Sequence, residues 1–140
     1  MKIWMSLALL SLIIGCGPET RSYRVNVNNQ SLEPMTLWLA KEGGPLEMTW
    51  LSPEDIAVMR VDKGTAITGV TVPPGKSATM GPINGKFEGG ANAVLRVYRG
   101  QRKFDELLSI GADSPNRTDL PLQPGDNQFV IGPDGKVNKP

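Results

Sequence analysis

The run Met35-Thr36-Leu37-Trp38-Leu39-Ala40 places apolar side chains on both faces of a short strand. Side chains alternate between the two faces of an extended strand, so Leu37 and Leu39 share one face and Trp38 takes the other. A strand that is apolar on both faces has to be covered on both faces. The run therefore predicts a strand with protein packed against each of its sides.

A helix signal follows this strand, within residues 41–62. In Ser52-Pro53-Glu54-Asp55 the serine is a suitable N-cap, the proline suits the first helical position, and two acids occupy the first turn. We expect a helix of about two to three turns here. We also expect this helix and Trp50 to fold over the Trp38 side of the strand.

Turn residues are distributed along the whole chain. Glycine and proline, 16 and 12 among 140 residues, separate short runs rich in Val, Thr, Ile, Tyr and Phe. This pattern predicts an all-β domain, an antiparallel two-sheet sandwich of the immunoglobulin-like or transthyretin-like kind, with one short helix. The predicted strands cover residues 22–28, 35–40, 65–72, 77–80, 83–87, 91–99, 104–110, 118–122, 127–131 and 136–137.

Two of these strands rest on local arguments. Asn84-Gly85 is typical of a type I′ turn and predicts a tight hairpin within residues 83–87. The apolar residues of 104–110 fit helical spacing through Leu107 and strand spacing through Ile110. We assign a strand to residues 104–110, because a tight turn precedes them.

The N-terminus has the form of an export signal. Lys2 supplies a positive charge, and residues 3–14 form an apolar stretch that only two serines interrupt. A helix of this length spans about 18 Å, whereas the hydrocarbon core of a bilayer is about 30 Å thick. The segment is therefore expected to target the protein and then to be removed.

The stretch Leu12-Ile13-Ile14-Gly15-Cys16 ends this segment and resembles the signal of bacterial lipoprotein precursors. The resemblance implies cleavage between Gly15 and Cys16, a diacylglyceryl thioether on Cys16, and acylation of the new amino terminus with chains such as palmitate. Gly17 replaces the aspartate that the family uses for inner-membrane retention, which implies an outer-membrane location. An ordinary secretory signal is the alternative, but Cys16 is the single cysteine of the chain and has no disulfide partner.

These observations divide the chain into three parts and give the net charge of the mature chain. Residues 1–15 are the predicted lipoprotein signal peptide, 16–22 the lipidated cysteine and tether, and 23–140 a single sandwich domain. The chain has 15 basic and 14 acidic residues, and loss of Lys2 with the signal makes the two numbers equal. A neutral mature chain offers no field for nucleic acid, so no nucleic-acid partner is expected.

The residue types present limit the chemistry. The chain contains no histidine, which excludes Ser-His-Asp and Cys-His catalysis and histidine metal sites. Gly75-Lys76-Ser77 looks like the end of a phosphate-binding loop but lacks the required first glycine in register. We predict no cofactor, no metal site and no catalytic residue, and hence no enzyme.

Two other functional classes remain as alternatives. A small hydrolase could draw a pair of carboxylates from five acids, namely Glu54, Asp55, Asp105, Glu106 and Asp119. A carbohydrate-binding module would expose Trp50 or Tyr98 beside polar side chains. The main prediction is a membrane-anchored envelope lipoprotein with a noncatalytic structural or protein-binding domain.

A basic cluster is the candidate contact surface of that domain. Its members are Arg96, Arg99, Arg102 and Lys103, which crowd one predicted hairpin end. A solvated hairpin tip explains such a cluster without any function. Because the tether holds the domain near a membrane, the cluster also suits contact with anionic lipid head groups or an envelope polysaccharide. Exposed strand edges and loops rich in glycine and proline are expected to recognise an envelope protein.

Overall fold

Strands dominate residues 17–60 and 69–140, which the computed structural model describes. The strands of these two ranges are β1 (Glu19–Asn29), β2 (Met35–Glu42), β3 (Gly69–Val72), β4 (Ser77–Phe87), β5 (Asn92–Arg99), β6 (Arg117–Pro121), β7 (Gly125–Ile131) and β8 (Val137–Asn138). The helical segments are a 3₁₀ turn (Met48–Trp50) and two short helices, α1 (Pro53–Met59) and α2 (Phe104–Leu107).

The strands form two four-stranded sheets, in the orders β4-β1-β7-β8 and β3-β2-β5-β6. β1 and β7 run parallel, whereas the other neighbouring strands pair antiparallel. The predicted all-β two-sheet sandwich is confirmed. The parallel pair is a departure from a purely antiparallel arrangement, and the alternation of a single strand carries no information about its partner's direction.

The main core lies between the two sheets. In β1 the buried residues Tyr23, Val25 and Val27 alternate with exposed or half-buried ones. Leu37, Leu39, Leu95 and Val97 from the other sheet belong to the same buried cluster. The inner face of β2 is therefore covered as its sequence predicted, since its odd-numbered residues face the opposite sheet.

A second, smaller core covers the outer face of β2 and β5. It joins Trp38, Ala40 and Tyr98 of these strands to Ile56 and Leu107 of the two helices and to Leu51, which lies between the 3₁₀ turn and α1. Trp38 Nε1 donates a hydrogen bond to the carbonyl of Leu51 at 2.9 Å. Ser52 caps α1 in a capping box with Asp55, so the predicted helix and its position over Trp38 are confirmed.

Trp50 packs elsewhere than predicted. Its ring lies in the core between the sheets, edge-on to Tyr23 and Phe87 with centroids 5.5 Å away in each case. Its Nε1 donates to the carbonyl of Asn84 at 2.9 Å. The prediction that Trp50 covers the outer side of β2 is wrong, because the 3₁₀ turn directs this residue inward while Leu51 faces outward.

The predicted hairpin at Asn84-Gly85 is also wrong. β4 runs straight through both residues, which pair with Ser22 and Arg21 of β1. Gly85 serves close packing, because a Cβ at this position would lie 2.5 Å from Nε1 of Trp50. The glycine therefore makes room for an indole in the core, as glycines inside strands often do.

Residues 104–110 begin with the one-turn helix α2, so the predicted strand there is wrong. The helical spacing brings Leu107 into the second core, and the ring of Phe104 lies 6.2 Å from that of Trp38. Of the predicted strand 65–72, the structure describes only Gly69–Val72; the rest lies outside the described residues.

Candidate functional site

The sandwich begins very close to the predicted lipid attachment point. Gly15 and Cys16 lie outside the described residues, so lipidation at Cys16 and cleavage before it stay predictions. β1 begins at Glu19, three residues before its predicted start at Ser22. Three Cα steps span at most about 11 Å, which brings the domain closer to Cys16 than the sequence suggested.

One end of the sandwich, here called the tether end, consists of the start of β1, residues 43–50 and residues 84–92. Thr20 is the register partner of Lys86, and Glu19 is that of Phe87. Residues 43–48 pack beside this part of β4. The Glu47 carboxylate accepts a hydrogen bond from the Lys86 amide at 2.9 Å, and the Gly44 carbonyl accepts one from the Glu88 amide at 3.1 Å.

A buried lysine holds this end together. The ammonium of Lys41 donates to the carbonyls of Pro45 and Lys86, at 2.8 Å and 2.6 Å, and pairs with the Glu47 carboxylate. It also lies 4.7 Å from the ring centroid of Phe87. All three ammonium protons thus have partners, and the contacts tie residues 45–47 to β4.

The electrostatics of Glu47 agree with this geometry. Partial burial raises its pKa, but the hydrogen bonds from Lys41 and from the Lys86 amide outweigh burial and leave the pKa below its ordinary value. Glu47 is therefore ionised at neutral pH. The pair is a structural clamp, and sequence patterns did not reveal it because the clamp joins β2, a loop and β4.

The predicted basic cluster does not form one surface. Arg96 lies on the outer face of its sheet, paired with Glu54 at 2.6 Å. Arg99 pairs with Glu33 at 3.6 Å and donates to the carbonyl of Asp134 at 2.6 Å. Arg102 donates to the carbonyl of Arg99 at 2.6 Å, and Lys103 is exposed immediately before α2.

The end that carries Arg99, Arg102 and Lys103 is opposite the tether end. Met35 pairs with Arg99 at one extremity of β2, while Glu42 pairs with Asn92 at the other. This far end consists of residues 29–34, 73–76, 99–103 and 132–135. The structure brings Arg99 and Arg102 together there and separates them from Arg96.

A charge network on the outer sheet face contains two arginines, Arg96 and Arg117. Arg117 makes a two-pronged contact with Asp119, at 2.8 Å and 2.7 Å, and approaches the Glu54 carboxylate at 3.9 Å. Arg96 donates to the hydroxyl of Tyr98 at 3.4 Å. Two cations thus neutralise two carboxylates on the surface that α1 partly covers.

This network bears on acid–base chemistry. Burial raises the pKa of Glu54, but hydrogen bonding and the charge of Arg96 outweigh burial and lower it overall. A general acid in a glycosidase needs a raised pKa. Glu54 beside Asp119 therefore has the wrong electrostatics for that role. Both acids are candidates from the sequence, whereas Arg117 is not, because no local pattern connects it to them.

In the part of the chain that the structure describes, three further kinds of functional feature are relevant: metal sites, exposed aromatic platforms and membrane-spanning helices. No group of three metal-ligating side chains occurs within residues 17–60 and 69–140. Trp50 and Tyr98 are both buried, so neither forms the exposed platform that the carbohydrate-binding alternative requires. In these same ranges no helix has the length and apolarity needed to cross a membrane.

A groove of about 180 Å³ lies on the outer face between β3 and α2. Trp38 and Phe104 supply its apolar wall, and Thr36 and Arg102 its polar edge. The Thr36 hydroxyl already donates to the Gly100 carbonyl at 2.8 Å and accepts from the Arg102 amide at 3.1 Å. The Thr36 hydroxyl is thus engaged in holding the loop before α2.

Comparisons with known proteins give one structural likeness. No family model matches the chain, and no curated protein sequence matches it. The chain is similar to the solved structure of Serratia marcescens Lip, a membrane-bound component of the type VI secretion system, with a TM-score of 0.40 and 12% identity. The likeness covers 85% of this chain and 96% of that one. At that identity and TM-score, function has to be argued from this chain's own residues.

Proposed function

We propose that this chain is a bacterial envelope lipoprotein, anchored through acyl chains on Cys16, whose sandwich domain has a structural or protein-binding role without catalysis. The observation that carries the proposal is the run Leu12-Ile13-Ile14-Gly15-Cys16, placed three residues before the first strand. Two or three long acyl chains hold a protein on a bilayer effectively permanently. The short tether then keeps the sandwich at the membrane surface.

The absence of catalysis in this proposal is supported by the interactions of the candidate catalytic carboxylates. The chain lacks histidine, and arginines neutralise Glu54 and Asp119. Asp55 is engaged in the cap of α1, and Glu106 accepts from the amide of Lys103 at 2.7 Å. These carboxylates have structural partners, which favours a binding or structural role over hydrolysis.

The far end is the surface that we assign to partners in the envelope. Because the chain enters the domain at the opposite end, the far end points away from the anchoring membrane. Arg99, Arg102 and Lys103 would there meet an envelope protein or polysaccharide in preference to the head groups beside the anchor. Gly17, which stands where the retention aspartate would be, supports an outer-membrane location.

Metabolic labelling with an alkyne analogue of palmitate tests the anchor. The full-length chain should carry the label, and Cys16→Ser should lose it. Cys16→Ser combined with Ser22→Cys is the matched control, because it restores a cysteine six residues later and should stay unlabelled. Label that survives Cys16→Ser would contradict the proposal.

A separate assay addresses catalysis. The purified protein is incubated with cell-wall glycan fragments, and we expect no turnover. Turnover that Glu54→Gln and Asp119→Asn each abolish would establish the hydrolase alternative in place of the binding role.

A further inference from the structure

Two large apolar side chains project from the tether end into solvent. Leu46 is 61% exposed and Met48 is 46% exposed, although Trp50 beside them is fully buried. Single exposed apolar residues are common on protein surfaces. Here two of them lie two positions apart on one short segment, at the end from which the chain continues to Cys16.

The distance from this segment to the anchor is short. The carboxylate of Glu47, between the two apolar residues, binds the amide of Lys86. Lys86 is the register partner of Thr20, and neighbouring strands lie about 4.8 Å apart. Thr20 in turn is four residues from Cys16, so acyl chains on Cys16 would enter the bilayer close to residues 46–48.

The segment is also held in shape. Lys41 clamps Pro45 and Glu47 to β4, and the Gly44 carbonyl is hydrogen-bonded to the Glu88 amide. Leu46 and Met48 are therefore presented on a fixed backbone. Insertion of a preformed apolar tip avoids most of the entropy cost of ordering a loop.

The surrounding charges indicate which force would act. Glu42 and Glu88 are exposed near this segment, and Glu19 is exposed at the start of β1. Lys86 is exposed there and Arg21 is half-buried and paired with Glu19, while Lys41 is buried. Electrostatic attraction between this surface and anionic head groups would be weak. Attraction to the bilayer therefore has to come from burial of apolar side chains.

We propose that residues 43–48 insert Leu46 and Met48 into the interfacial layer of the bilayer that holds the anchor, so that the sandwich stands on its tether end. This inference rests on the proposed lipid anchor. It predicts one defined orientation for the domain, with the far end directed away from the membrane, and no requirement for anionic lipid.

Spin labelling of the mature protein, purified from membranes and reconstituted in phosphatidylcholine vesicles, tests the inference. Thr49→Cys places a label next to Met48 and leaves both apolar residues intact. Leu32→Cys is the matched control at the far end, where Leu32 is 91% exposed. The ratio of collisions with oxygen to collisions with a water-soluble nickel chelate should be severalfold higher at position 49 than at position 32.

Adding Leu46→Ser and Met48→Ser to the Thr49→Cys protein should lower that ratio to the value at position 32. Equal ratios at both positions in the protein with Leu46 and Met48 intact would overturn the inference. Flotation of the vesicles reports the anchor separately. Protein that floats without insertion contradicts the inference alone, whereas protein that fails to float contradicts the lipid anchor and the inference together.

Discussion

Nη1 of Arg96 lies 2.6 Å from Oε2 of Glu54 and thereby joins the first turn of α1 to the middle of β5. The pair is partly buried, and its guanidinium also faces Tyr98. Arg117 lies close to the same carboxylate. Glu54 is therefore the anion that the two arginines of this face share, and it fixes α1 over the second core.

Glu54→Gln should destabilise the fold by about 1–2 kcal/mol, because it removes a charge-assisted hydrogen bond and leaves two largely buried guanidinium groups with less compensation. The cost is small because the Glu54 side chain is 44% exposed and water screens its charge. Urea unfolding of the two proteins measures the difference. Glu42→Gln, at an exposed position, is the control and should change the unfolding free energy by less than about 0.5 kcal/mol.

Stability should fall in acid. The pKa values of Glu47 and Glu54 are both below their ordinary value of 4.5 in the folded protein. The unfolded chain therefore binds protons first, so the stabilisation is present above pH 4.5 and is lost as the pH falls through the folded-state values. Thermal unfolding from pH 7 to pH 3 should show this loss. In the variant that combines Glu47→Gln with Glu54→Gln, stability should depend less steeply on pH. An unchanged dependence would show that these two carboxylates do not cause the loss of stability in acid.

Gly85→Ala should destabilise the fold by about 1–3 kcal/mol, because the new Cβ would overlap Nε1 of Trp50 and the ring of Phe87. Gly89→Ala is the matched control, since a Cβ at Gly89 meets no atom within 4 Å. Denaturant midpoints of the two variants provide the comparison. Similar midpoints would mean that Trp50 does not occupy the space beside Gly85.

Lys41→Met should cost about 2–4 kcal/mol, because it leaves the Glu47 carboxylate and two carbonyl groups without their shared cation. Lys76→Met, at an exposed turn, is the control. Hydrogen exchange should also speed up in Lys41→Met at the amides of Lys86 and Glu88, which donate to the Glu47 carboxylate and the Gly44 carbonyl. Wild-type exchange there would show that other contacts hold the segment.

Local sequence predicted the features that local physics determines. The strands of the sandwich followed from alternation, as in β1 and β5, and α1 followed from its serine cap and first-turn acids. The apolar character of both faces of β2 correctly required cover on each side. In these elements the pattern of apolar and polar side chains over a few neighbouring residues is sufficient to predict the secondary structure.

The errors arose where a distant residue determines the local structure. Asn84-Gly85 is a good turn sequence, but the indole of Trp50 needs the space that Gly85 leaves within a strand. Helix α2 forms because Phe104 and Leu107 reach the second core around Trp38. No window of neighbouring residues contains these contacts.

The sequence also failed to predict how the candidate contact residues are arranged, because their partners are distant in sequence. Their proximity in sequence suggested one basic cluster, yet strand alternation places Arg96 and Arg99 on opposite faces of β5. The partners Glu33, Glu54 and Asp134 come from three separate parts of the chain. Such ion pairs depend on the strand order, which the sequence did not predict.

Lipidation at Cys16 can be tested by measuring the mass of the amino-terminal peptide of protein extracted from native membranes. We expect the mature chain to start at Cys16 and this peptide to carry a diacylglyceryl group and an additional acyl chain. A peptide with a free Cys16 thiol, or a chain that starts at another residue, would contradict it.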